Sequence, residues 1–531
     1  MENIDIAAMK RLELEQFAMD QSLEVKKLSA KVDFYEEQIR LMQRQKFGAK
    51  SEQADPNQLS FFNDPEAEAT EDAKEPKMSQ VKPPKQKKQT GRKEQLTASL
   101  PKETVTYTLT AEEQVCPVCH EPLHEMKKIV RKELEIIPAK VFVKEHIQQV
   151  YSCRNCEQHA IHTPILSAPM PAPLISGSIL SPSLASYVLC RKYENRDPLH
   201  KIAADFHRMG LRISKQTMAN WVIKLAQPLG LLYGAMKEEL LALPILHADE
   251  TTVQVLKEPG KTAQSNSYMW VYTSGKDARP ILLYEYAPSR SGTVPKAFLG
   301  DFNGFLQTDG YAGYGTLDGQ AVRVGCFAHV RRYYWAADKA LPANSPYKET
   351  IRKGVRFCDS LFSLDQEVKD LPADQRLSFK AEKIQPVMEE FFTWAETEAA
   401  KNFSKGAYQK ALTYTLNQRS YLENYLLDGN LEISNNPAER AIRPFVTGRK
   451  QWLFFNTPKG AKAGSIAYSL VETAKANGLL PLEYFTYILD QLRQIDCTDP
   501  NEIKKLLPWA AELPPSCRCP SNQEEGTNEQ N

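Results

Sequence analysis

The sequence predicts a multidomain protein built around a mixed α/β core with a helical insertion, and three observations carry that expectation. The chain has 531 residues, which at about 150 residues per domain makes three or four domains. Its texture changes along its length, from heptads to a charged stretch, to paired cysteines, to helices, to short β-rich runs and back to helices. Between Ile245 and Cys326 the strand-like runs are short and separated by turns, whereas roughly 330–430 has helical periodicity and few strand signals. Strands followed by helices are the pattern of a sheet carrying a helical block.

Composition narrows the class. With 42% hydrophobic and 9% aromatic residues the chain can bury sizeable cores. A mean hydropathy of -0.47 and no apolar run near the ~20 residues of a membrane span predict no membrane partner. The N-terminal MENIDIAAMKRLELEQ lacks a secretory pattern, so a cytoplasmic protein is expected. The net charge of +1 conceals local asymmetry: eight carboxylates against Lys74 in 51–76, then seven basic residues against Glu94 in 77–95. Ten cysteines are too sparse for a disulfide scaffold, and four of them fall as two CxxC pairs, which points to metal.

Taken in order, residues 1–50 carry heptads, with Leu14, Gln21, Leu28, Tyr35 and Met42 on one seam position and Ala18, Val25, Val32 and Ile39 on the other. So narrow a seam needs a partner helix, and self-association through a coiled coil is expected. Residues 51–97 show no apolar period and read as a charged flexible linker. In 98–165, Cys116, Cys119, Cys153 and Cys156 are spaced so that four thiolates converge on one zinc, with strand-like Val141–Val143 and Gln149–Tyr151 between the knuckles forming a ribbon. In 175–236, a helix opening at Asp197-Pro198 and running to about His207, a break at Gly210, and a second helix capped by Ser214 and running to Lys224 match a helix-turn-helix. That second helix would offer Lys215, Gln216 and Asn220 to a major groove, although any helical hairpin gives the same pattern. A core over 240–475 with its insertion at about 335–430 follows, then a helical element over 476–512 and a tail, 513–531, expected to be disordered.

Three acids stand out in that core. Asp249 lies inside an otherwise apolar strand, Asp309 follows the strand Phe305–Gln307, and Glu439 opens a helix. One acid in a strand, one at a strand end and one on a helix is how an RNase H-like sheet gathers its metal-binding carboxylates. Carboxylates supply the hard oxygens that magnesium or manganese prefers, and two such ions clamp an in-line phosphoryl displacement. Each acid also has a plainer reading. Asp249 could be an edge-strand acid beside Glu250, which alternation turns to the other face. Asp309 before Gly310 could serve a turn. Glu439, three residues after Asn436 with Pro437 between, fits a capping box. His329, Arg332, Arg443, Arg449 and Lys450 are candidates to neutralise phosphates, with Trp452 and Phe454 as stacking surfaces.

Several stretches together resemble one family: Leu246–Leu256, Thr308–Tyr314, Gly325–His329, Asn435–Pro444 and Gly448–Leu453, joined by Lys46–Glu52, the paired CxxC knuckles and Leu506–Trp509. They resemble the large transposase of insertion sequence sixty-six elements, over nearly the whole chain and in one order. The resemblance implies a DDE transposase, an RNase H-like enzyme in which Asp249, Asp309 and Glu439 match the acids. It further implies cleavage at the ends of a mobile element and joining of the freed 3' hydroxyls to target DNA. Terminal inverted repeats, target DNA, a second copy and accessory proteins of the same element are then the expected partners, and the nucleoid the expected location. Phe327 departs from the usual Trp, and Phe47–Lys50 from a more basic run; neither touches a proposed ligand. A DNA-binding regulator on a decayed scaffold, or a nuclease without strand transfer, would share parts of the pattern.

Overall fold

The structure is a computed structural model; it describes residues 140–520 except 153–164, 168, 343–344, 346 and 402–405. The heptads, the charged linker and all four CxxC cysteines lie outside the described residues. The chain divides into two units, 49–144 and the remainder, and the architecture below is that of the second. The first described strands, β1 (Val150–Ser152) and β2 (Ile165–Ser167), pair antiparallel with Val150 opposite Ser167. No strand forms at 141–143, in contrast to the expectation. Phe142 and Val143 are 81% and 86% exposed and no described strand pairs with them, so alternation there has no ladder to join.

Helix α1 (Pro182–Leu189) starts on Ser181, whose hydroxyl accepts from the Leu184 amide, and passes into a π-helical turn at Cys190–Glu194. Helix α2 (Leu199–Arg208) ends before Gly210, which takes the left-handed conformation at φ 84°. Helix α3 (Lys215–Leu241) opens on Ser214, capping the Thr217 amide. It does not stop near Lys224. Buried Met218, Trp221, Val222, Leu225, Leu229, Leu232, Met236 and Leu240 keep the apolar stripe going for the whole length, so packing carries the helix on into the core, even past Pro228.

The sheet contains β3 (Ile245–Gln254), β4 (Asn266–Ser274) and β5 (Leu282–Ala287), which form an antiparallel meander. After α4 (Thr293–Leu299) come β6 (Phe305–Gln307) and β7 (Val322–Val324), both aligned parallel with β3. The order is β5-β4-β3-β6-β7. Strand β3 is therefore central, and the edge-strand reading of Asp249 does not hold.

Beyond β7, described residues from Phe327 to Leu427 are helical apart from their connections: α5 (Phe327–Ala340), α6 (Lys348–Glu367), α7 (Ala373–Phe379), α8 (Gln385–Ala399), α9 (Ala407–Asn417) and α10 (Arg419–Glu423). They build their own hydrophobic cluster around Phe327, Tyr334, Cys358, Phe391, Leu412 and Tyr425. Three helices then return to the sheet side. Helix α11 (Asn436–Trp452) packs on β3 and β4, α12 (Pro458–Ala476) on β5 and α3, and α13 (Pro481–Gln491) on α1. A short α14 (Pro500–Lys504) packs on α3.

The start of the tail is ordered, which corrects the expectation for 513–520. Cys517 is buried, its carbonyl accepts from the Leu480 amide, Cys519 donates to the Gly478 carbonyl, and Arg518 bridges Leu479. A backbone ladder and one buried thiol outweigh the polar composition there. Among the described residues no helix is long and apolar enough to cross a membrane.

Candidate active site

Strand pairing brings two of the acids together. In the parallel β3–β6 pair His247 stands opposite Gln307. Asp249, in the middle of β3, and Asp309, just past the end of β6, each two residues further on, therefore lie level with one another where β6 ends and β3 runs on, beside the carboxyl end of a parallel strand, where open α/β sheets place their ligands. Asp309 also serves the turn, since its Oδ1 accepts from the Tyr311 amide at 2.9 Å. Asp249 Oδ1 accepts from the Glu250 amide at 2.8 Å.

Glu439 reaches the site on α11, which starts without a capping box. Its N-cap is Asn435, whose side chain caps nothing in the helix. That amide turns to β3, donating to the Ala248 carbonyl at 2.8 Å and lying 3.1 Å from His247 Nδ1. Asn435 also donates its backbone N–H to Cys326 Sγ, 3.1 Å away. Glu439 is left to face Arg332 Nη2 at 3.4 Å and His329 Nδ1 at 3.8 Å. The capping explanation of Glu439 is thereby replaced by contacts across the tertiary structure.

Beneath the acids lies a buried polar layer that the sequence reading missed. His247 is fully buried, with Nε2 3.2 Å from Glu432 Oε2. Gln307, also fully buried, donates to the Glu432 and Gly325 carbonyls. His247 precedes Asp249 by two residues, Gln307 precedes Asp309 by two and Asn435 precedes Glu439 by four, each spacing being one repeat of its element. A polar residue one repeat inward from each acid was the available signal.

Electrostatics single out Asp249. Burial, then the charge of Glu250, and then those of Asp309 and Glu439, push its carboxyl up to about 8 against the pull of the Glu250 amide. Glu250, which alternation turns to the other face of the strand, is still the largest charge acting on Asp249. Its side chain is 1% exposed, bonded by Arg290 at 2.5 and 2.8 Å and by Tyr314 Oη at 2.7 Å. Burial and Asp309 raise its pKa, so its charge belongs to the same field. His329 is lowered by burial and by Arg332.

The remaining candidates spread over two elements. Arg332 bonds Glu439 and touches His329 Nε2 at 3.3 Å. Arg443 and Lys450 are exposed on α11, and Arg449 donates to the hydroxyls of Thr251 and Thr252 at 3.2 Å. Lys215, Gln216 and Asn220 are exposed at the start of α3, where Gln216 donates to Asn220 at 3.1 Å, and no hydrogen bond or ion pair joins them to the acids. Trp452 packs on Phe445 and Phe455 and donates to Tyr468, which leaves Phe454 as the more exposed ring.

The donor set fits a hard divalent cation. Asp249 has carboxylates around it and, among the described residues, no basic side chain bonded to it, so positive charge is what the pocket lacks. Among the described residues, Cys326, His329 and Glu439 form a group whose ligand atoms lie within 4.8 Å of one another; Asp249 and Asp309 stand outside that group.

Four family models match the chain. Residues 35–105 match the "Transposase C of IS166 homeodomain", 113–157 the zinc-finger binding domain of transposase IS66, and 469–509 the IS66 C-terminal element. Curated relatives include the uncharacterized protein y4jD of Sinorhizobium fredii, 28% identical over 77% of this chain and 81% of its own. Another is the uncharacterized protein y4qI of the same organism, 28% identical over 71% and 70%. Residues 177–463, which hold the sheet, the insertion and all three acids, match the Transposase IS66 family, and the chain belongs to that family.

Proposed function

We propose that the protein is a magnesium-dependent DDE transposase that cuts the ends of an insertion sequence and joins the 3' hydroxyls to target DNA. The observation that carries the reading is Asp249, buried on the central strand among Glu250, Asp309 and Glu439, with no cation among the described residues bonded to it. The order of the sheet, three antiparallel strands followed by two parallel ones, supports an RNase H-like core.

Asp249, Asp309 and Glu439 would hold the metal, and manganese would suit the same oxygens. Bound there, the ions would supply Lewis acidity to the attacking and leaving oxygens of a phosphoryl displacement. Arg332, 60% exposed and held to Glu439 only at 3.4 Å, is free to exchange that contact for a phosphate. Arg290 and Tyr314 keep the Glu250 carboxylate fixed, so the field on Asp249 does not fluctuate with side-chain motion. His247, Gln307 and Asn435 keep the two strands and α11 in register beneath the acids. The first turns of α3, with Lys215, Gln216 and Asn220, would read DNA, and Cys116, Cys119, Cys153 and Cys156 would bind one zinc. The N-terminal heptads would pair two copies, as the processing of two ends requires.

Incubating the purified chain with labelled element ends and magnesium tests the reading. Site-specific nicks and joined products that disappear in Asp249→Asn, while binding to the ends persists, are expected. Binding without any strand chemistry in the native chain would turn the reading towards a DNA-binding regulator.

A further inference from the structure

Helix α11 leads from the acids to a second concentration of charge. Gly448 lies nine residues beyond Glu439, about 14 Å along the helix. A Cβ at Gly448 would come within 2.3 Å of Tyr468 Oη and 3.0 Å of Trp452 Nε1, and 3.6 Å from Arg196 Cγ. Glycine therefore makes room for the Tyr468 hydroxyl and the Trp452 ring, and the segment after α1 reaches the same face of the helix, with Arg196 Cγ at ordinary contact distance. That segment contains the π-helical turn Cys190–Glu194 and Arg196 in the left-handed conformation at φ 67°. Both are conformations that proteins retain at a cost and concentrate at functional sites.

The cations of this segment divide into two kinds. Arg191 is answered by Asp197 at 2.6 Å and Asp205 at 2.7 Å. Lys192 and Arg196 have no acidic partner among the described residues. Lys192 Nζ faces only rings, 5.3 Å from the centroid of Tyr193 and 5.8 Å from that of Trp452. Arg196 Nε is buried and bonded to nothing. Burial pushes the carboxyl of the intervening Glu194 up, against the pull of Lys475 and Cys190. On the helix itself, Arg449 holds only two threonine hydroxyls and Lys450 is exposed. In a chain whose net charge is +1, two cations on the last turn of α11 and two on the segment beside it, none with an acidic partner among the described residues, are a local excess.

We propose that Lys192 and Arg196, together with Arg449 and Lys450, form a subsite for the backbone phosphates of duplex DNA running along α11 from the acids. Lys192, Arg196 and Arg449 lack the hydrogen-bonded anion that would offset their partial burial, and a phosphodiester provides it, with exposed Lys450 adding charge beside them. The cation–π contacts on Tyr193 and Trp452 hold Lys192 ready without neutralising it. The subsite reads no bases, so it adds affinity and direction rather than sequence preference. It rests on the transposase reading of the acids.

The test uses the full chain carrying Asp249→Asn, so that DNA is bound but not cut, and fluorescent duplexes of arbitrary and element-end sequence over a range of KCl. Each phosphate contact contributes about 0.9 to the slope of log affinity against log salt. Lys192→Gln and Arg196→Gln should each lower the slope by about 0.9 and weaken both duplexes equally, while Arg196→Lys, keeping the charge, restores the slope. Lys505→Gln, where the cation already faces Glu502 at 2.5 Å, should leave the slope unchanged. Native-like slopes in both glutamine variants overturn the subsite and leave the transposase reading standing. A parent chain with no salt-dependent duplex binding overturns both.

Discussion

Two buried charges in this molecule are treated in opposite ways. Lys380, 1% exposed inside the helical insertion, donates to the carbonyls of Tyr425 at 3.1 Å, Asp428 at 2.8 Å and Leu431 at 2.8 Å and sits 3.7 Å from the Tyr425 ring centroid. All three ammonium protons are used, and the lysine ties the insertion's loop to its helices. Asp249 accepts one backbone N–H and otherwise meets like charge. A buried charge whose bonds are complete is holding the fold together. One surrounded by its own sign is waiting for a ligand, because nothing in folding alone rewards that arrangement.

The largest expected effect tests that distinction through chemistry. Asp249→Asn, Asp309→Asn and Glu439→Gln should each cut nicking and joining by about a thousandfold or more, the scale of losing a principal electrostatic contact. Binding to element ends should be spared. Asp249→Asn should also raise the unfolding midpoint in metal-free buffer at neutral pH, since it removes the cost of protonating a carboxyl that the unfolded chain leaves ionised. A lowered midpoint would mean that the acid is structural, like Lys380.

The pH dependence should have opposite signs at the two sites. Asp249 is raised from 3.8 to about 8, so the folded chain holds a proton that the unfolded chain releases, and its contribution to stability is lost as pH rises from about 4 to 8. Lys380 is lowered by burial from 10.5 to about 7; the unfolded chain then binds the extra proton, and stability rises from about pH 7 to 10.5. Urea midpoints across pH in a chelator should show the first slope vanish in Asp249→Asn and the second in Lys380→Met.

Removing Lys380 should cost stability outright. Lys380→Met leaves three carbonyls without a donor, which should lower unfolding free energy by about 3 kcal/mol, with nicking by the folded fraction retained. The smallest effect is expected from the layer beneath the acids. Asn435→Ala should reduce nicking about 10- to 100-fold and raise the magnesium concentration needed, with DNA binding unchanged. A variant that merely melts earlier, with the native magnesium requirement, would reduce Asn435 to a packing role.

Local chemistry made much of the architecture legible. Ser214, Pro437 and Gly210 mark where helices begin or end, and short β-rich runs mark the strands at 245, 268, 281, 305 and 322. The overextended reach of α3 and the ordered Cys517 segment were not legible, because each depends on a surface supplied from elsewhere in the chain. The candidate acids could be picked out by their places in strand, strand end and helix. Glu250 was misjudged, because alternation says which face a residue takes and not what Arg290 and Tyr314 bring to that face.

By itself the sequence determined the elements, the family and the candidate chemistry, since caps, periodicity and motif spacing act over a few residues. The tertiary structure alone decided which groups meet. His247 and Asn435 are 188 residues apart in the chain and 3.1 Å apart in space, and to the charge of its neighbour Glu250 the fold adds those of Asp309, just past β6, and Glu439 on α11 in the field on Asp249. Coulombic interaction and burial depend on distance through space, and a pairing across such separations is set only when the sheet closes and α11 packs against it.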